Sequence, residues 1–248
     1  MRSRFAVSCL GWLWPAWLLL LPASAAAAQP PDFAAQYRLS LGGITVGETR
    51  VELERLNERN YRYSSLTRPT GLAGFIYRAE VAEYSEGLFG RFGFRPDLYS
   101  YDRRGRGSRQ AQVEFDWDRN QVVNSVAGGN WRLAVPDHVM DRLVSQLQLM
   151  KDLAAGRTEL EYRIADGGHL RSYRLRIDGE ETVTTPLGEF ATVRVVNRPD
   201  TEDGRVSTFW AAPALHYLAV RIEYRERRET LLLTLEELDG IPLPEPPE

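Results

Sequence analysis

The chain has 248 residues, a formal net charge of −3 and 43% hydrophobic residues, enough for one domain with a sizeable core. That charge gives no basis for nucleic-acid binding. A single cysteine, Cys9, excludes a disulfide framework and any cysteine-rich zinc site.

Residues 1–28 read as a signal peptide. Arg2 and Arg4 give a basic start, Phe5 to Leu21 an apolar run, and Ala23-Ser24-Ala25 small-residue cleavage choices. The run is nearly long enough to act as an uncleaved anchor. Pro15, the alanine-rich exit and the lack of a basic stop-transfer flank favour cleavage, between Ala26 and Gln29. The expected product is a soluble periplasmic protein, more negative by the loss of two arginines, with no later stretch apolar enough to cross a bilayer. Cys9 lies too early in the run to be a lipoprotein cysteine.

Residues 29–240 read as a single β-rich domain, and the Pro- and Glu-rich 241–248 as a disordered tail. Tyr37, Leu39 and Leu41 alternate with polar residues, as a half-buried strand requires, and Gly42-Gly43 turns the chain into Ile44–Leu56. Tyr61–Leu66 returns as a strand. Arg68–Tyr77 breaks the alternation: Leu72, Phe75 and Ile76 cluster between glycines, as a plug over the core or a lip on an apolar pocket. Strand signals resume over Glu80–Tyr101, Ala111–Trp117, Val122–Val126 and Trp131–Val135.

Pro136–Gly156 is the one long segment with helical periodicity. Val139, Met140, Leu143, Val144, Leu147, Met150, Leu153 and Ala154 form its apolar stripe. Asp141, Arg142, Ser145, Gln148, Lys151 and Asp152 take the opposite face, Asp137 is the expected N-cap, and Gly156 stands where a C-cap is wanted. Strands then recur at Leu160–Ile164 and Tyr173–Ile177, and Asp178-Gly179 gives a hairpin signal. Thr185-Pro186-Leu187-Gly188 suits a type I turn, and Ala191–Asn197, Ser207–Trp210, Leu218–Tyr224 and Thr230–Leu238 complete the set. Strands, one helix, then strands again predict a mainly β fold. Its form is a large curved antiparallel sheet, a half-barrel or open barrel, with one amphipathic helix packed against it.

Chemistry is sparsely signalled. Glu114, Asp116 and Asp118 share a strand face, but a calcium loop begun at Asp116 needs glycine where Gln121 stands and glutamate where Ala127 stands. A solvated strand face is the better reading. His138, His169 and His216 are scattered, so neither a metal nor a cofactor is expected. Nucleophile-elbow and phosphate-loop motifs are absent, and no catalytic residue is assigned. Arginines 171, 174, 176, 221, 225, 227 and 228 are interleaved with glutamates and read as mixed solvent-facing surface.

Several stretches together resemble the DUF-3108 family of exported bacterial proteins, a domain of unknown function. They are Tyr37–Gly47 (YRLSLGGITVG), Phe94–Tyr99 around Pro96, Val113–Asp118 (VEFDWD) and Asp137 before the helix. Thr184–Phe190 (TTPLGEF), Phe209-Trp210 and Leu218–Tyr224 (LAVRIEY) follow. The resemblance implies a periplasmic β-rich protein and supplies no catalytic residues. The expectation is a non-enzymatic protein whose curved sheet offers an apolar groove to a lipid, an acyl chain or an envelope protein. Leu72, Phe75, Ile76, Leu143, Leu147 and Trp210 are its candidate contacts. The alternatives are a structural or interaction module with a filled core, and an envelope hydrolase with a site not visible in the sequence.

Overall fold

A computed structural model describes residues 29–71, 79–90, 93–126, 129–166, 168–197, 206–227 and 229–244. The first eight strands form an antiparallel meander. They are β1 (Phe33–Leu41), β2 (Ile44–Arg55), β3 (Asn60–Pro69), β4 (Ala79–Gly90), β5 (Gly93–Gly105), β6 (Arg109–Asp116), β7 (Gln121–Val126) and β8 (Gly129–Ala134). A two-residue strand β9 (Val139–Met140) and the helix α1 (Val144–Ala154) come next. A second meander follows, of β10 (Leu160–Asp166), β11 (His169–Thr185), β12 (Gly188–Asn197), β13 (Val206–Ala212), β14 (Leu218–Glu226) and β15 (Glu229–Asp239). β15 pairs antiparallel with β1, which joins the two meanders into one 15-stranded sheet with β8 and β9 at its edges. The expected curved sheet with a helix against it is the observed fold.

The alternation read in the sequence sets the inner face. Tyr37, Val51, Leu53, Tyr61 and Tyr63 are buried while their neighbours are more open. Curvature brings the sheet's two ends together: Val113, Val122 and Leu133 of the first meander and Ala165 and His169 of the second line one small gap. α1 lies inside the curl with Val144 and Leu147 fully buried. Among the described residues, no helix is long and apolar enough to cross a membrane.

Three local expectations are corrected. The helix starts at Val144 rather than Pro136, because Val139 and Met140 pair in parallel with Arg163 and Ile164 as the sheet's last strand. The cap is Asp141 rather than Asp137: its Oδ1 accepts the backbone N–H groups of Leu143 and Val144, each at 2.8 Å. Asp178-Gly179 makes no hairpin. β11 runs through it, and the register slips between Ile177 and Glu180, with Gly179 at φ 103° supplying the left-handed residue of a bulge. The chain reverses at Pro186-Leu187 as expected, and the helix ends near Gly156, whose N–H donates to the Leu153 carbonyl at 2.9 Å. Past the last strand, Ile241 is buried in the core.

The helix's polar face is only partly solvated: Asp141, Gln148 and Asp152 are buried. Gln148 Oε1 accepts the Phe94 N–H at 3.1 Å, and its Nε2 donates to Asp152 Oδ1 at 2.9 Å. The Tyr162 hydroxyl donates to Asp152 Oδ2 at 3.0 Å. Gly93 makes this contact feasible: it sits at φ 131°, and a Cβ there would lie 1.9 Å from Gln148 Oε1. Both faces of α1 therefore carry stability. Leu147→Ala is expected to cost about 2–5 kcal/mol, and Gln148→Ala about 1–3 kcal/mol by orphaning a buried amide. Denaturant melts of the two variants check this, and a Gln148→Ala cost near zero would show that the helix has one dispensable face.

Candidate functional site

Beside α1 the curl is not full. A cavity of about 640 Å³ lies between the N-terminal part of the helix, β1 to β3 and β10 to β15. Its walls are mostly apolar: Leu39, Val51, Leu149, Phe209, Ile222 and Leu233 all face it. Tyrosines break this surface. Tyr37, Tyr63, Tyr162, Tyr173, Tyr217 and Tyr224 line it, and the Tyr37 hydroxyl donates to the Ala219 carbonyl at 2.9 Å. Burial raises the Tyr37 and Tyr63 phenols above their usual range, so both remain neutral.

The polar wall is built at the start of α1. Glu83 on β4 receives three donors on one oxygen: the Tyr99 hydroxyl at 2.5 Å, Arg142 Nη2 at 2.6 Å and Arg142 Nε at 3.0 Å. The Arg142 guanidinium also lies 5.4 Å from the Tyr101 ring centre. Burial opposes its charge, but Glu83 and Tyr99 outweigh burial and hold Arg142 firmly protonated. One residue earlier, Asp141 is fully buried, and its Oδ2 accepts the Ser85 hydroxyl at 2.6 Å. Burial pushes the Asp141 carboxyl up to about 6, against the pull of its hydrogen bonds from Ser85, Val144 and Leu143. Ser85 is likewise fully buried, so this serine–carboxylate pair anchors the helix and is closed to a substrate.

The sequence-predicted contacts are dispersed. Leu143 lines the cavity. Leu147 is fully buried and is not among the lining residues. Trp210 points to the other face of β13, since its neighbours Phe209 and Ala211 face the cavity. There its indole donates to Glu181 at 2.8 Å, between the guanidinium groups of Arg194 and Arg221 at 5.9 and 5.6 Å. Leu72, Phe75 and Ile76 lie outside the described residues. Sequence reading missed Glu83 and Arg142 as a pair; 59 positions separate them, and no local pattern links them. The inward tyrosines were visible in the alternation but not as a shared surface.

The profile of a family described as "Protein of unknown function (DUF3108)" matches residues 36–232. The chain belongs to the DUF3108 family. No curated protein matches this DUF3108 chain. Among solved structures it is similar to a β-barrel-like protein of the domain of unknown function DUF1849 from Brucella abortus. That likeness has a TM-score of 0.56 at 9% identity and covers 86% of this chain and 98% of the other. A DUF1329 family protein from Desulfovibrio piger matches at a TM-score of 0.26 and 10% identity, covering 88% of each chain. At such identity the first likeness concerns the fold alone.

Asp141 gives a pH test of the helix anchor. Its carboxyl is raised on folding from about 4 to about 6, so the folded state takes up a proton in that window. The resulting stability is fully present below about pH 4 and is lost as pH rises through about 6, roughly 3 kcal/mol in all. Asp141→Asn keeps an acceptor for both backbone N–H groups but cannot titrate. The stability of the native chain relative to this variant should therefore fall by up to roughly 3 kcal/mol between about pH 4 and pH 7. Denaturant melts across that range measure it, and a constant difference would refute the raised carboxyl.

Proposed function

We propose that this DUF3108 protein is a non-enzymatic protein of the bacterial cell envelope that holds an acyl chain inside its curled sheet. The cavity of about 640 Å³ carries the reading. It falls within the roughly 300–1,000 Å³ typical of small-molecule sites, and its mostly apolar walls suit a hydrocarbon chain. A space of that size weighs against a module whose core is completely filled by the helix. The Arg-led apolar segment at residues 1–28 supports export to the periplasm. There a carrier for acyl chains has membranes on either side as source and destination.

Lipid extraction and mass spectrometry of protein purified from its own periplasm is the direct test, with a co-purifying acyl-chain compound at near-stoichiometric amount as the expected result. Leu39 and Leu233 are cross-strand partners that both face the cavity. Leu233→Trp should project into the space, lower the amount of co-purified lipid and change stability by less than about 1 kcal/mol, since an open cavity accepts the added volume without overpacking. Loss of about 1–3 kcal/mol or more with no lipid in either form would point instead to a packed structural module.

A further inference from the structure

One turn of the sheet is charged against the sign of the chain. The β5–β6 hairpin carries Arg103, Arg104, Arg106 and Arg109 close together, all exposed, in a chain whose net charge is −3. Arg104 pairs with Asp102 at 2.8 Å, whereas Arg103, Arg106 and Arg109 have no ion pair among the described residues. The carboxylate on the adjoining strand end, Glu80 on β4, is held by Arg68 at 2.8 Å. The chain links that follow β3 and β7, residues 72–78 and 127–128, contain no carboxylate. Among the described residues of this corner, no acidic side chain is left over to balance the three unpaired guanidinium groups.

Folding of the hairpin does not account for these charges. Arg103 and Arg109 are direct cross-strand partners, a like-charge pairing that opposes the hairpin. Charges often blunt an edge strand, but β5 and β6 lie inside the sheet, between β4 and β7, and have no edge to protect. Cross-strand partners have Cβ atoms about 5 Å apart, so one anionic surface meets both guanidinium groups and turns their repulsion into attraction. Antiparallel order puts this turn at the same end of the sheet as Gly42-Gly43, where the Ile44 side chain stands 71% exposed. The β14–β15 turn at that end is mixed instead: Arg225 pairs with Glu223, and Arg227 stands between Glu226 and Glu229. Unpaired arginines and an exposed isoleucine at one end match the surface of an anionic bilayer, which offers phosphates to the first and interfacial hydrocarbon to the second. A soluble polyanion has no place for the isoleucine.

We infer that the tip of the β5–β6 hairpin docks this end of the sheet onto an anionic phospholipid surface, with Arg103, Arg106 and Arg109 on lipid phosphates and Ile44 at the interface. The inference concerns the outside of the molecule and is independent of the acyl-chain reading. The two meet in one respect: cavity-lining Arg171, Asn197 and Glu226 lie near the ends of their strands on the same side of the sheet.

The test is flotation of the full exported chain with vesicles of phosphatidylcholine alone, or of phosphatidylcholine with about one-third phosphatidylglycerol. Binding should require the anionic lipid and weaken steeply between about 50 mM and 500 mM salt, as the Debye length shrinks. Each arginine changed to glutamine should lower affinity roughly fivefold, so the triple variant Arg103→Gln/Arg106→Gln/Arg109→Gln should fall by about a hundredfold. Its melting temperature should match or exceed that of the native chain, because an exposed repulsion is removed. Ile44→Ser should weaken binding by a few fold, and Arg225→Gln/Arg227→Gln on the mixed turn by less than the triple variant. Equal binding to both vesicles, no binding to the anionic ones, indifference to salt, or native affinity in the triple variant would each overturn the docking surface. Tighter binding of a single-stranded oligonucleotide or an acidic peptide than of anionic vesicles would make the hairpin a site for soluble polyanions and overturn it as well. None of these results bears on the acyl-chain reading, which the extraction experiment decides separately.

Discussion

A sheet this wide has a concave face that must be covered, and α1 is the element that covers it. The helix is only eleven residues long, and the strands around it enclose more space than it fills. Its position therefore depends on specific anchors rather than on apolar contact alone. Asp141 ties its first turn to Ser85 on β4, and Gln148 ties its middle to the Phe94 backbone on β5. Asp152 ties its last turn to Tyr162 on β10. These bonds join both meanders through one helix. Buried polar groups hold their places strongly, because each lost partner leaves a desolvated donor or acceptor.

The same arrangement leaves the cavity. Anchors on β4, β5 and β10 draw α1 to one side of the curl, and the walls left uncovered belong to β1 to β3 and to the second meander. Apolar residues and tyrosines occupy most inward positions there, with small polar residues such as Thr49, Ser65 and Ser207 among them, and the Tyr37 hydroxyl is satisfied by the Ala219 carbonyl. The Glu83–Arg142 pair sits where helix, cavity and first meander meet, and it ties the start of the helix to β4.

Much of the fold was legible in the sequence. Period-two alternation marked most strands, and the Gly42-Gly43 and Pro186-Leu187 turns fall where the residues demanded them. A single helical stretch between two runs of strands implied a curved sheet around it. The errors have one cause. The apolar stripe of α1 extends back through Val139 and Met140, yet parallel pairing with β10 draws those two residues into a strand, because periodicity records which residues are apolar and not which neighbour claims them. Gly179 permits a turn and a bulge equally, and strand pairing selected the bulge.

The sequence by itself determined strand alternation, the helix's apolar stripe and a motif-poor chain with one cysteine, at position 9. Only the tertiary structure decided what the helix's polar residues face. Asp141, Gln148 and Asp152 look like a solvated stripe in the chain, and the curl of the sheet buries all three against partners distant in sequence. It likewise turned Trp210 away from the cavity and set Arg142 beside Glu83. Those outcomes depend on long-range register and curvature, which arise when the two meanders close on each other through β1 and β15, and no local spacing encodes them.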